Sequence, residues 1–160
     1  MKKIIVSLGL ALTLSFGATL DEGKKAFDKG DYNTALIIFE DLASKNNAKA
    51  KYNLGVMYDN GYGVKQDYKK AKEWYEKAAA QGYTKAQYNL GVMYYDGEGV
   101  KQDYFKAKEW YEKAAAQGDI HAKYNIGVLY YNGQGVKQDY KKAKEWYEKA
   151  AAQGYALAQY

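Results

Sequence analysis

Residues 86–118 read AQYNLGVMYYDGEGVKQDYFKAKEWYEKAAAQG, and almost the same string stands 36 residues earlier and 36 residues later. Trp74, Trp110 and Trp146 keep that period, as do Gly55, Gly91 and Gly127, Asp67, Asp103 and Asp139, and Gly82, Gly118 and Gly154. The chain is therefore three near-identical units, over 50–85, 86–121 and 122–157. In the middle unit Ala86, Leu90, Met93 and Tyr94 recur at helical spacing, which predicts a helix A over 86–95, with Thr84 and Gln87 placed as a capping box at its start. Gly97 and Gly99 break that pattern and supply the backbone freedom of a turn. Asp103 is placed to cap the next helix, its carboxylate accepting from orphan amides at the positive end of the dipole. Helix B is predicted over 104–117, with Ala107, Trp110, Tyr111, Ala114 and Ala115 on one apolar stripe and Gly118 ending it. Each unit is thus a helical hairpin in which Ala107 and Gly91 give the small contacts for close approach. A lone hairpin cannot bury Trp110 and Tyr111, whereas stacked hairpins can. The expected fold is all-α, an α/α superhelical solenoid with a continuous core and one concave side.

Outward from the repeats the pattern loosens. Asp31, Tyr32, Ala35, Phe39 and Ala50 stand one period before Asp67, Tyr68, Ala71, Tyr75 and Ala86, so 19–49 holds a divergent hairpin, placed to act as an N-terminal cap. Its turn, at Asp28, Lys29 and Gly30, is about four residues shorter than in the other units. At the far end Ala158, Gln159 and Tyr160 repeat Ala86, Gln87 and Tyr88, so 158–160 reads as the start of a further unit. Residues 1–18 read as a secretory signal peptide: Lys2 and Lys3, an apolar run from Ile4 to Leu14, then small residues at Ser15, Gly17 and Ala18. The run is too short to span a bilayer, which takes about 20 residues. The reading is an exported protein, periplasmic or secreted, with no stable membrane insertion after cleavage. With no cysteine in the chain there is neither a lipoprotein acceptor thiol nor a disulfide, and packing alone must hold the fold.

Charge narrows the partners. The net charge of +5 falls to +3 once Lys2 and Lys3 leave, and all 24 basic residues are lysines interleaved with acids. Without arginine forks or a basic stripe, nucleic acid is excluded as a partner.

The run from Ala86 to Tyr94, followed by Gly97, Glu98, Gly99, Val100, Asp103, Lys106, Ala107, Trp110, Tyr111, Lys113, Ala114, Ala115 and Gly118, resembles the Sel1-like repeat almost position for position, in three copies. Gly23 to Tyr32, with Ala35 and Phe39, looks more like a tetratricopeptide repeat. The resemblance implies a bacterial adaptor or assembly scaffold that binds protein or peptide and catalyses nothing. It also touches a cysteine-rich exported branch labelled as β-lactamases, from which this chain departs by having no cysteine. A weak hydrolase of that kind, or a purely structural spacer, are the alternatives.

The chemistry of a hydrolase is not written in the residues. Ser44 is the only serine beyond the leader, and Asn47 stands where a Ser-x-x-Lys nucleophile would need its lysine. Glu109 and Glu112 recur as Glu73 and Glu76 and as Glu145 and Glu148, which marks a solvated face with lysine partners. His121 is the sole histidine and has no second metal ligand; no cofactor or metal is expected. Tyrosine is what stands out, with nineteen copies, many on helix A. By analogy with tetratricopeptide repeats, the A helices line the concave groove. Tyr88, Asn89, Val92, Tyr95 and Asp96 then face a bound protein or peptide, preceded by Tyr52, Asn53, Val56, Asp59 and Asn60 and followed by Tyr124, Asn125, Val128, Tyr131 and Asn132. Tyrosine offers area at low entropic cost, and asparagine pairs with a peptide backbone.

Overall fold

The computed structural model describes residues 17–154; the leader expected over 1–18 falls almost wholly outside them, and the repeat start at 158–160 entirely. Among the described residues the secondary structure is eight helices: α1 (Leu20–Asp28), α2 (Tyr32–Ser44), α3 (Ala48–Asn60), α4 (Tyr68–Ala79), α5 (Thr84–Asp96), α6 (Tyr104–Ala116), α7 (Ile120–Asn132) and α8 (Tyr140–Ala151). Two compact units divide the chain, the first through Gln81 and the second from Gly82. Unit 1 stacks the hairpins α1–α2 and α3–α4, and unit 2 stacks α5–α6 and α7–α8. Three residues, 29–31, join α1 to α2, against the seven, 61–67, that join α3 to α4. The shortened first turn is thus present as read.

Helix ends follow local chemistry. Asp103 Oδ1 accepts from the Lys106 amide at 3.0 Å, and Asp67 and Asp139 cap α4 and α8 in the same way. At the far end of α5, Gly97 closes the helix at φ 79°, a left-handed turn that a side chain resists. The capping box expected of Thr84 and Gln87 does not form. Thr84 is already the first helical residue, behind Tyr83, which makes no side-chain cap, and Gln87 accepts instead from Gln117 Nε2 at 2.7 Å. One period either side of Tyr83, Asn47 and Asp119 do cap, accepting from Ala50 and Ala122 amides at 3.0 and 2.8 Å. Asp119→Ala is expected to cost about 1 kcal/mol in urea denaturation, the ordinary worth of such a cap.

The core of each hairpin is an aromatic ring seated on a glycine. A Cβ on Gly91 would lie 2.4 Å from Tyr111 Cδ1, and Gly55, Gly127 and Gly23 stand likewise against Tyr75, Tyr147 and Phe39. Gly91 therefore makes room for the Tyr111 ring, and not for Ala107 as the sequence reading had it. Tyr111 is buried inside its own hairpin's seam, with Ala107, Ala114 and Ala115 of α6 and Ala122, Ile126 and Leu129 of α7 completing the cluster. Trp110, expected in the core beside it, is only half-buried, and the Lys113 ammonium lies 4.0 Å over its ring. The same lysine covers Trp74 and Trp146 as Lys77 and Lys149, at 4.2 Å each. These tryptophans shield the seam from outside with one face and solvate the other through a cation.

Candidate functional site

The residues expected to line a binding face lie on α3, α5 and α7, and the structure brings some of them together. In unit 1, Tyr52, Asn53 and Val56 of α3 line an open cavity of about 200 Å³. Its other wall is Lys24, Phe27 and Asp28 of α1, and its floor is Phe39 of α2. The wall and floor were not among the expected residues. A register signal was available for them: Gly23 pairs with Phe39 as Gly55 pairs with Tyr75. On that register Phe27 holds the place of Asp59, Tyr95 and Tyr131.

The other expected residues of unit 1 turn to internal work. Asp59 accepts from the Tyr75 hydroxyl at 2.9 Å, and Asn60 Nδ2 donates to the Val56 carbonyl at 2.9 Å. Burial raises the Asp59 pKa above the usual carboxylate value, and the Tyr75 hydrogen bond only partly offsets that. Because folding favours the protonated form, Asp59 adds stability as pH falls through its raised folded value, and the gain is complete below the unfolded one. Glu22 and Asp31, whose pKa values hydrogen bonds from Thr19 and Thr34 lower, act in the opposite sense. The test is therefore a difference: Asp59→Asn is expected to be relatively more stable than wild type at neutral pH, with the gap narrowing on acidification. Melting curves across that range check it, and a gap that widens with acid would refute it.

In unit 2 the row is more closely knit. The Tyr88 ring lies 5.8 Å from Tyr111 and 5.9 Å from His121, and Asn125 Nδ2 donates to the Tyr88 hydroxyl at 3.5 Å. Asn125 also hydrogen-bonds Tyr111, whose phenol is pushed far above its ordinary pKa, first by burial and then by Tyr88. The Tyr95 ring meets Tyr104 edge-on at 5.2 Å, and its hydroxyl donates to Gln134 Oε1 at 3.2 Å. Tyr124 stands 5.3 Å from Tyr147 and Tyr131 5.2 Å from Tyr140. Asn89, Val92 and Val128 are half-buried, Asp96 and Asn132 exposed, and Tyr131 is 53% exposed. The tyrosines thus pack on neighbouring rings while leaving one edge of the row open. Gln134 and His121, which join them, carry no sequence signal because their positions vary among the repeats.

Elsewhere the Ser44 hydroxyl donates to the Asp41 carbonyl at 2.6 Å, at the exposed C-terminal end of α2. Lys108 pairs with Glu112 and Lys72 with Glu76 at 2.6 Å, the lysine partnership expected of the repeated glutamates.

Stacked helical hairpins with a recurring Gly–aromatic seam define a repeat protein of the tetratricopeptide-like kind. The Sel1 repeat matches residues 48–83, 84–119 and 120–155, and the chain belongs to that family. It is similar to the crystal structure of a Sel1 repeat protein from Oxalobacter formigenes, with 41% identity and TM-score 0.81 over 88% of this chain and 57% of that one. It is also similar to c5321, described as a protective antigen of uropathogenic Escherichia coli with an SLR fold, at 36% identity and TM-score 0.74 over 89% of this chain and 35% of that one. The chain thus spans well under two thirds of either relative. Helicobacter pylori cysteine-rich protein B aligns at 26% identity and TM-score 0.58, over 89% of this chain and 96% of that one. No curated protein matches. The Sel1-like repeat fold generally mediates protein–protein interaction, and its scaffolds are typically non-catalytic. Among the described residues no helix is long and apolar enough to cross a membrane.

Proposed function

We propose that this protein is an exported adaptor that holds a segment of a partner protein against the A-helix row of its hairpins. The observation that carries this reading is the recurrence of a half-open Tyr–Asn–x–x–Val register on every repeat helix A, which in unit 1 lines a cavity. Half-buried aromatic and valine surface offers apolar area, and the asparagine amides offer directional pairing to a peptide backbone. The helix B face is a poorer candidate: Phe105 and Tyr140 are exposed at its helix starts, but most of its other exposed positions are lysine and glutamate, several of them paired as Lys108–Glu112 and Lys144–Glu148, and such surfaces contribute little to affinity.

Photo-crosslinking tests the assignment. A photoreactive residue at Asn89 or Val92 is expected to trap a discrete partner in the native host, whereas one at Glu109, on the exposed side of α6, is not. Equal trapping from both faces, or none from the row, would overturn it. Export is supported by the basic start and apolar run of 1–18, and N-terminal sequencing of the protein from outside the cytoplasm is expected to begin after Gly17 or Ala18. Recovery only as the uncleaved chain would refute that part.

A further inference from the structure

The cavity of unit 1 differs from the corresponding place in unit 2 in ways that bear on what enters it. In unit 2 the position of Phe39 is Tyr111, and the Asn125 amide is spent on the hydroxyls of Tyr111 and Tyr88. In unit 1 the ring is a phenylalanine, so the hydroxyl is missing, and the side chain of Asn53, which stands to Phe39 as Asn125 stands to Tyr111, makes no hydrogen bond among the described residues. The register of Tyr95 is Phe27 here, a second ring without a hydroxyl. The cavity walls are thus mostly carbon, from Phe27, Phe39, Val56 and the ring of Tyr52, with one amide at the edge, Asn53, whose donors and acceptor are unused among the described residues.

Resting on the adaptor reading above, we propose that this cavity is a side-chain pocket that takes one leucine- or phenylalanine-sized residue from an uncharged stretch of a bound polypeptide, with Asn53 pairing to that stretch's backbone. Charge fits such an occupant. The rim carries one ammonium, Lys24, and one carboxylate, Asp28, one helical turn apart, so neither sign of partner charge is favoured and a charged side chain would enter an apolar pit without a counter-ion. Size fits as well: about 200 Å³ is smaller than the roughly 300–1,000 Å³ of small-molecule sites, and suits a single side chain. The amide decides between a loose apolar molecule and a polypeptide, because a peptide bond beside the entering side chain satisfies it and a hydrocarbon does not.

The full chain is titrated in NMR with capped pentapeptides in which a central Leu, Phe, Ala, Lys or Asp is flanked by glycines, and with toluene as a small apolar probe. The Leu and Phe peptides are expected to shift the Val56 methyls and the Asn53 side-chain amide, with affinity about tenfold above the Ala peptide, the gain that burying one large apolar side chain supplies. Two variants each remove the pocket: Phe39→Tyr restores the residue type that Tyr75, Tyr111 and Tyr147 place in this register, and Val56→Phe fills the space. Circular dichroism confirms folding, and either variant suffices. Equal affinity for all five peptides, shifts that survive both substitutions, or toluene binding as tightly as the Leu peptide would each overturn the proposal. Shifts confined to Asn89, Val92, Asn125 and Val128 would overturn the pocket and leave the A-helix row standing as the binding face. Peptides that shift neither set would overturn the pocket and count against the row as well.

Discussion

Gly91→Ala is expected to lower the unfolding free energy of unit 2 by about 1–2 kcal/mol, although alanine is the better helix former by about 1 kcal/mol. The added Cβ would stand 2.4 and 2.5 Å from Cδ1 and Cε1 of Tyr111, a ring only 1% exposed. Ring carbons cannot yield at that distance without moving α5 away from α6. Overpacking of this kind costs about 1–3 kcal/mol, more than propensity returns, and the upper end applies where the neighbour is hemmed in. Gly91→Val, with two further methyls and a branched Cβ, is expected to cost more and to abolish cooperative unfolding of the unit. Urea denaturation measures both. The mechanism predicts coupling: in a Tyr111→Leu background the alanine is expected to cost much less, because the ring it strikes is gone. A Gly91→Ala protein as stable as wild type would refute a seam in which Tyr111 leaves no room for a methyl group.

That seam also shows how far the sequence could be read. Period and hairpin were legible because Gly91, Asp103, Trp110 and Gly118 each recur at 36 residues, and a solenoid made from copies of one unit needs little else to be recognised. The three-dimensional partner of Gly91 was not legible. A glycine and an alanine on facing helices suggest close backbone approach, whereas the space is taken by Tyr111, one turn further along α6. Periodicity gives the face that a residue points toward, and it does not give the residue that fills the gap. Trp110 misled for the same reason. It sits on the apolar stripe, yet Lys113 three residues on solvates one face of the indole, so the ring closes the rim and leaves the core to tyrosine and alanine.

Of the face expected on helix A, Tyr52, Asn53 and Val56 line a cavity, and the opposite wall of that cavity comes from the hairpin whose sequence departs most from the repeat. Departure from a repeat hides a residue from period-based reading. Phe27, ahead of the shortened turn, departs in this way where the other hairpins carry aspartate or tyrosine, whereas Phe39 keeps the period of Tyr75 and differs only in lacking the hydroxyl. Asp59 and Tyr95, expected on the same face, each also hold a hydrogen bond inside the chain, to Tyr75 and Gln134, which periodicity does not reveal.

Tyr111→Ala is expected to be the most damaging single truncation in unit 2, at about 3–5 kcal/mol, while Tyr147→Ala is expected to cost about half as much. The comparison isolates environment from propensity, because residues 107–115 and 143–151 are identical. Tyr111 lies between Gly91 below and α7 beside it, with Tyr88 5.8 Å away, and is closed off from water. Tyr147 has the same glycine seat on Gly127 and the same neighbouring tyrosine, Tyr124 at 5.3 Å, but it is only half-buried on α8, the last described helix. Truncating a ring that keeps water on one side leaves a dent that solvent fills, whereas truncating an enclosed ring leaves a void whose walls lose their contacts outright. If the two substitutions cost the same in urea denaturation, the hairpin seam alone would set the energy and the next hairpin would add nothing. A gap of about 2 kcal/mol would measure what stacking contributes, in the one pair of sites where the local sequence cancels.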